Sequence, residues 1–549
     1  MAHQGRYYIE RDYCITARCW GDQPSHLTFG GSASSGNLEQ GAERRVRLMN
    51  WRDKRIQMKY ILAIDQGTTG SRVVLYDKFG RKRASAYEEF PQHFPKPGWV
   101  EHDPHDLWNS VNNSIQRVLK KVPGATIAAI GIANQRETTV LWDKDTGRPA
   151  YNAIVWQCRR SAGRCNELKN KHARIEFFRR RTGLPIDAYF SATKIEWILK
   201  NVPGAMAKAK AGKIIFGTTD TWVLWKLTGG MVHATDYTNA SRTLLFNIAK
   251  MQWDDDILKV FKIPRKILPA VKSSSGIFGS TINIGRLAAG IPISGIAGDQ
   301  QAALFGQASF NAGEIKNTYG TGSFILLNTG KKMPFSRHGL ITTIACGPAG
   351  EPVYALEGSV FVAGAVIQWL RDGLKIIKKA SDSEKLACSV KDNGGVYFVP
   401  ALVGLGAPYW DQNARGLITG ITRGTKRGHI ARAAIEAICY QTKDVMIAME
   451  KDSGLKIKSL KVDGGAVSND LLCQLQSDIL NREVVRPKVI EITSLGAAYL
   501  AGLAVGYWKN AEEIKGHWKI DRTFRPKMPG RVSQELYGGW LLAVKRALA

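Results

Sequence analysis

Twice along this chain a short turn of glycine and threonine joins two β-forming runs, and no other feature narrows the possible folds as far. In the first copy Tyr60-Ile61-Leu62-Ala63-Ile64 leads through Asp65-Gln66-Gly67-Thr68-Thr69-Gly70-Ser71-Arg72 into Val73-Val74-Leu75-Tyr76. In the second, Ile315-Lys316-Asn317-Thr318-Tyr319 leads through Gly320-Thr321-Gly322 into Ser323-Phe324-Ile325-Leu326-Leu327-Asn328. Apolar runs of this length, bounded by turn residues, read as strand hairpins. Backbone N–H groups and hydroxyls can converge on an anion in such a turn, and Asp65 beside the first one can face a metal. No Gly-Lys-Ser/Thr follows, so the first turn is not a Walker A loop. A repeated anion-gripping hairpin predicts two similar domains whose turns face a nucleotide in the cleft between them.

The remaining pattern fits that layout. Residues 61–65, 72–77 and 84–90 read as consecutive strands. Asp103-Pro104 then opens a helix, with Asp103 as its cap, Pro104 in the first turn, and Leu107, Val111, Ile115 and Val118 on one apolar stripe. Residues 127–133 return as a buried strand, so strands alternate with helices in an α/β chain. A third glycine turn, Gly464-Gly465-Ala466-Val467-Ser468-Asn469, follows the strand Leu460-Lys461-Val462-Asp463 and leads into a helix over 470–480. Its small residues let a flat ring approach the backbone, which suits an adenine or a ribose.

With 549 residues the chain is too long for one core. We divide it into residues 1–58, 59–308 and 309–549, the last boundary falling near 305–312. The first segment is rich in Gly, Ser, Gln and Arg and lacks sustained periodicity. Glu10, Asp12, Asp22, Glu39, Glu43 and Asp53 argue against a transit peptide, which would be poor in acids. That leaves a disordered appendage or a misassigned start, and we read Met58 as the functional beginning.

Charge and cysteines exclude several classes. The 77 Lys+Arg against 47 Asp+Glu give a net +30, which attracts polyanions. The basic residues are scattered, however, and no RNP, zinc-finger or basic-helix pattern accompanies them, so we expect no specific nucleic-acid partner. No apolar stretch approaches the roughly 18 residues of a spanning helix, so no membrane span is expected. Cys14, Cys19, Cys158, Cys165, Cys346, Cys388, Cys439 and Cys473 lack the paired spacing of a zinc or redox site, and reduced thiols point to a cytoplasmic protein. His102 and His105 have no further ligand at suitable spacing and read as a helix-start surface. The absence of a Gly-x-Ser-x-Gly elbow removes support for a hydrolase.

The three glycine turns together resemble those of the actin-like ATPase and sugar-kinase superfamily, and longer stretches resemble its FGGY carbohydrate kinases. These are Tyr189-Phe190-Ser191-Ala192-Thr193-Lys194-Ile195-Glu196-Trp197 and Gly416-Leu417-Ile418-Thr419-Gly420-Ile421 running on through His429-Ile430-Ala431-Arg432. Asn134-Gln135-Arg136-Glu137-Thr138-Thr139, Ile154-Val155-Trp156-Gln157-Cys158-Arg159-Arg160 and Gly298-Asp299-Gln300-Gln301-Ala302-Ala303 are similar to the branch of that family that phosphorylates glycerol. The resemblance covers essentially residues 59–549. It implies two actin-like, ribonuclease H-like α/β domains with a nucleotide cleft between them. The first would hold the acceptor site, the first phosphate motif and the catalytic base, and the second the other phosphate motif and the adenosine site.

Further roles follow from the resemblance. An alcohol is a poor nucleophile, and the carboxylate that accepts its proton would be Asp299. Asp65 would help hold Mg²⁺, while Thr68, Thr69, Gly70 and Arg72 would touch the polyphosphate of ATP. Arg136, Glu137, Tyr189, Asp299 and Gln300 would make the polar contacts to glycerol, with Trp156 and Phe324 as aromatic walls. Thr321, Gly364 and Gln368 would complete the phosphate contacts, and Gly465 and Asn469 those to adenosine. Relatives form dimers and tetramers, which implies a homodimer or homotetramer.

Each residue also has an ordinary explanation. A Gly-Thr-Thr turn is usually just a hairpin, Asp299 could cap the helix that follows it, the aromatics could be core, and Arg136-Glu137 could be surface charge. One pocket explains them all together. Gly70 stands where the family often has Ser, which removes a hydroxyl but leaves the N–H. The loop 283–291 lacks the Gly-Thr-Arg ending used by some relatives to bind fructose 1,6-bisphosphate, so regulation by that sugar is doubtful. The segment 526–537 likewise departs from the one that binds a phosphotransferase regulator in some bacterial relatives. The alternatives are another polyol or sugar kinase of the family, or an inactive nucleotide-binding protein.

Overall fold

The computed structural model describes residues 58–411 and 413–548; the reading of residues 1–58 as an extension therefore falls, Met58 apart, outside the described residues. The first sheet contains β1 (Lys59–Gln66), β2 (Gly70–Tyr76), β3 (Lys82–Glu89), β4 (Thr126–Asn134), β5 (Ser275–Ser280) and β6 (Pro292–Gly298). Their spatial order is β5-β6-β4-β1-β2-β3. Strand β1 runs parallel to β4, which runs parallel to β6, and the other neighbours are antiparallel.

The second sheet contains β7 (Ile315–Tyr319), β8 (Ser323–Gly330), β9 (Ile341–Cys346), β10 (Pro352–Val360), β11 (Ser459–Asp463), β12 (Glu483–Pro487) and β13 (Ile520–Phe524), in the order β9-β10-β8-β7-β11-β12-β13. Here β7 runs parallel to β11 and β11 to β12, again with antiparallel neighbours elsewhere. Thus β7, β8, β10, β11, β12 and β13 occupy the places of β1, β2, β3, β4, β6 and β5, with matching directions, and β9 is one additional edge strand. The repeated hairpin marks a repeated sheet. This is the two-domain actin-like, ribonuclease H-like α/β fold.

Residues 60–64 of strand β1 are all apolar because both faces of the strand are covered there. Leu62 and Ile64, with Val73 and Leu75 of β2, pack against Val111, Ile115 and Val118. Those three belong to α1 (Pro104–Lys121), whose start is capped as expected by Asp103 accepting the His105 N–H at 2.7 Å. Ile61 and Ala63, with Val74 and Tyr76, point the other way into a cluster with Leu495, Ala498 and Leu500. Side-chain alternation along a strand makes these two separate cores.

Five further helices position the site: α2 (Asp299–Gly306), α3 (Gly364–Asp372), α4 (Arg427–Ser453), α5 (Asp470–Leu480) and α6 (Ile492–Ala504). Although α6 follows six of the second sheet's seven strands in the chain, it crosses the first sheet. A Cβ on Gly131 would lie 2.1 Å from the Ala497 carbonyl oxygen, and one on Gly496 would lie 1.8 Å from that of Ala302 in α2. Backbone therefore meets backbone where α6 crosses β4 and α2. That crossing sets the N-terminus of α2, with Asp299, between the two sheets.

Candidate active site

The first turn is closed by the Gly67 N–H donating to the Gly70 carbonyl at 3.0 Å. Its other carbonyls are tied back: Gln135 Nε2 donates to Gly67 O at 3.1 Å and Gln92 Nε2 to Thr68 O at 3.0 Å. Both glutamines touch His102, whose Nε2 lies 2.7 Å from Gln92 Oε1. Among the described residues the N–H groups of Thr68 and Thr69 have no acceptor, which leaves them for an anion. His105 is exposed as expected, but His102 is fully buried. The helix-start reading of His102 is thus corrected, because strand pairing of Glu101–His102 with Ala153–Ile154 draws the ring inward. Burial, then the charge of His93, push His102 down to about 4, so it serves as a neutral brace.

Gly70 has no room for a side chain, since a Cβ would sit 2.6 Å from both the Glu88 carbonyl oxygen and the Tyr87 hydroxyl. Arg72 lies opposite Asp65 in the β1–β2 register and is held by Glu491 at 2.5 Å. Asp65 is pushed up to about 7 by burial and then by the negative charge of Asp299. A divalent cation beside these two carboxylates would relieve that repulsion. Among the described residues no set of three His, Cys, Asp or Glu side chains could hold a metal alone. One or two carboxylates completed by phosphate oxygens and water are the donor set that Mg²⁺ accepts.

The proposed acceptor residues converge. Asp299 Oδ1 accepts from the Gln300 N–H at 2.7 Å and lies 3.1 Å from Arg136 Nε. Among the described residues nothing bonds its Oδ2, and 31% of the side chain remains accessible. Trp156 meets Tyr189 edge-on at 5.6 Å and Phe324 at 6.4 Å, and Arg136 stacks over Phe324. The Trp156 indole N–H donates to Thr68 Oγ1 at 3.0 Å, which joins the aromatic walls to the phosphate turn. Burial pushes the Tyr189 phenol upward, so it remains a neutral donor.

Arg136 and Glu137 are buried, at 3% and 1% exposure, and are not surface charges. Glu137 has φ +61° within a tight turn in which the Thr138 N–H reaches the Arg136 carbonyl at 2.7 Å. Such strain persists where surroundings over-determine it. Here the surroundings are two fully buried residues that sequence reading missed. Arg242 Nε donates to Glu137 at 2.6 Å and Arg242 Nη2 to Glu357 at 3.0 Å, while Arg136 grips the same Glu357 with both Nη atoms. Burial alone would raise Glu357, but Arg136 and Arg242 outweigh it and hold the carboxylate near 2. A glutamate inside the apolar strand Tyr354-Ala355-Leu356-Glu357-Gly358 was the available signal.

Of the residues expected at the nucleotide, Thr321, Gly364, Gln368, Gly465 and Asn469 line one cavity of about 330 Å³, which Thr68, Thr69, Gly70 and Arg72 do not line. The second turn is closed by the Gly320 N–H donating to Gly322 O at 2.8 Å, and the start of α3 is pinned on it by Gly364 N–H to Gly320 O at 3.0 Å. At Gly464, with φ +92°, a Cβ would lie 2.4 Å from the Tyr319 carbonyl oxygen, so a glycine is needed for the two backbones to pass. Beside it, a Cβ on Gly465 would meet nothing within 4 Å, so this edge of the cavity is open. Asn469 caps α5 by accepting the Leu472 N–H at 2.9 Å.

The chain is similar to known proteins over most of its length. The profile for the N-terminal domain of the FGGY family of carbohydrate kinases matches residues 60–306, and that for its C-terminal domain matches 315–505. The chain is 58% identical over 493 residues to glycerol kinase 2 of Thermotoga maritima, covering 89% of this chain and 99% of that protein. The crystal structure of Plasmodium falciparum glycerol kinase with ADP is similar with a TM-score of 0.83 and 40% identity, over 90% of this chain and 99% of that one. A ligand-bound xylulose kinase from Lactobacillus acidophilus has a TM-score of 0.80 at 25% identity, over 89% of this chain and 97% of the other.

Proposed function

The chain belongs to the FGGY family of carbohydrate kinases, and from that premise we propose that it phosphorylates glycerol to sn-glycerol 3-phosphate with ATP, Asp299 acting as general base. The observation that carries the reading is the position of Asp299. Its Oδ1 meets Arg136 Nε and the Gln300 N–H while Oδ2 stays unbonded, and Arg136 stacks over Phe324, which packs on Trp156 with Tyr189 beside the first phosphate turn. The 58% identity to a glycerol kinase against 25% to a xylulose kinase supports the acceptor. A terminal hydroxyl oxygen attacks the γ-phosphorus, its proton passes to Asp299 Oδ2, and the bond to the bridging oxygen breaks to release ADP.

The N–H groups of Thr68 and Thr69 and the second turn at Thr321 cradle the polyphosphate, and the cavity at Gly465 and Asn469 takes the adenosine. Asp65, with Asp299 nearby, would hold Mg²⁺, which neutralises phosphate charge when bound. Closure of the two domains would exclude water and limit ATP hydrolysis. A cytoplasmic homodimer or homotetramer completes the reading, with weak or absent inhibition by fructose 1,6-bisphosphate. No helix among the described residues is long and apolar enough to cross a membrane.

The test is a coupled ADP-release assay with the full chain on glycerol, dihydroxyacetone, xylulose and gluconate. Glycerol is expected to give the highest kcat/KM. No turnover with glycerol, or a better acceptor among the other three, would overturn the assignment.

A further inference from the structure

The second sheet presents a row of side chains to α2. Cross-strand register sets Lys461 beside Lys316, Lys316 opposite Leu326, and Leu326 opposite Glu357. Partners in register share a face of the sheet. Leu326 packs in one buried cluster with Leu304 of α2, so this is the face turned towards that helix. Lys461 meets its C-terminal end, where Nζ donates to the Gln307 carbonyl at 2.9 Å. The two charges that flank Leu326 reach the acceptor side chains.

Lys316 is fully buried, and its Nζ donates to Gln300 Oε1 at 2.5 Å and to Thr318 Oγ1 at 2.8 Å. An ammonium has donors only, so the amide oxygen of Gln300 is committed to it and the NH₂ is the end left for a ligand. Glu357 does the equivalent for Arg136. It takes one N–H from each Nη, Gln301 Oε1 accepts from Nη1 at 3.3 Å, and Nε is turned to Asp299. One N–H of Arg136 Nη2 is left over.

We propose that Lys316 and Glu357 are positioning residues of the acceptor site, fixing Gln300 and Arg136 as hydrogen-bond donors to the alcohol while Asp299 and Glu137 accept from it. Both belong to the second sheet, whereas the side chains they orient belong to the first lobe and α2. The acceptor site is therefore complete only when the lobes hold this arrangement. The inference deepens, and rests on, the glycerol reading above.

A double-mutant cycle on the full chain tests it, with kcat and KM measured for glycerol and for ATP in wild type, Lys316→Met, Gln300→Ala and the double variant. Lys316→Met is expected to lower kcat/KM for glycerol at least tenfold and to leave the KM for ATP within twofold. In the Gln300→Ala background the same change is expected to cost less than threefold, because residues acting through one another are not additive. Equal losses in both backgrounds, or a matching rise in the KM for ATP, would overturn the positioning role. If Lys316→Met does not fold, Lys316→Arg enters the same cycle and its loss must likewise shrink in the Gln300→Ala background. Glu357→Gln is expected to behave alike against Arg136→Ala. Wild-type turnover of glycerol is the control, and its absence would overturn the substrate reading together with this inference.

Discussion

Gly298, the residue before the proposed base, packs directly under Arg136: a Cβ there would sit 2.7 Å from the arginine Cδ. Gly298→Ala is therefore expected to shift Arg136 away from Asp299. A displacement of about 1 Å can cost about a hundredfold in rate, so kcat/KM for glycerol should fall by about tenfold or more while the KM for ATP stays within twofold. Unchanged glycerol kinetics would contradict the contact. At this scale the sequence was readable where residues come in clusters. Arg136-Glu137, Trp156 and Asp299 each sit in a recognisable run, and their chemistry suits one pocket. Arg242 and Glu357 do not, because the partners that explain them are brought close only by the folded chain. A buried charge gives no sequence pattern of its own beyond its apolar neighbours.

Among the elements, the first hairpin shows how a loop becomes a rigid grip. Gln92 and Gln135 occupy its carbonyls and His102 braces both. The ring titrates near 6.5 in the unfolded chain and is held at about 4 in the fold. Above pH 6.5 both states carry it neutral and its contribution to stability is complete. As the pH falls from 6.5 towards 4, the unfolded chain takes up a proton that the fold refuses, and about 3 kcal/mol is lost. His102→Gln removes that titration. Thermal unfolding should show the variant less stable than wild type at pH 7.5, with the gap narrowing by pH 5. A gap that stays constant would contradict the brace. The hairpins themselves were legible because strand runs flank their glycines. The role of α6 was not, since nothing in Ile492–Ala504 alone says that Gly496 lies against α2 rather than against the second sheet.

For the molecule as a whole, the duplicated sheet explains why the chemistry lies between two halves. On the proposed reading each sheet offers one turn to the polyphosphate, α2 carries the base into the gap, and the second sheet's buried charges orient the acceptor side chains. The net +30 gives nonspecific attraction to polyanions. The account stands or falls on Asp299, whose replacement by Asn keeps size and shape but removes the proton acceptor. Steady-state turnover of glycerol and ATP by wild type and Asp299→Asn, with Mg-ADP binding measured on both, tests this most directly. We predict a loss of about 10² to 10⁴ in kcat with ADP affinity within threefold of wild type. A variant that phosphorylates glycerol at the wild-type rate would contradict the assignment.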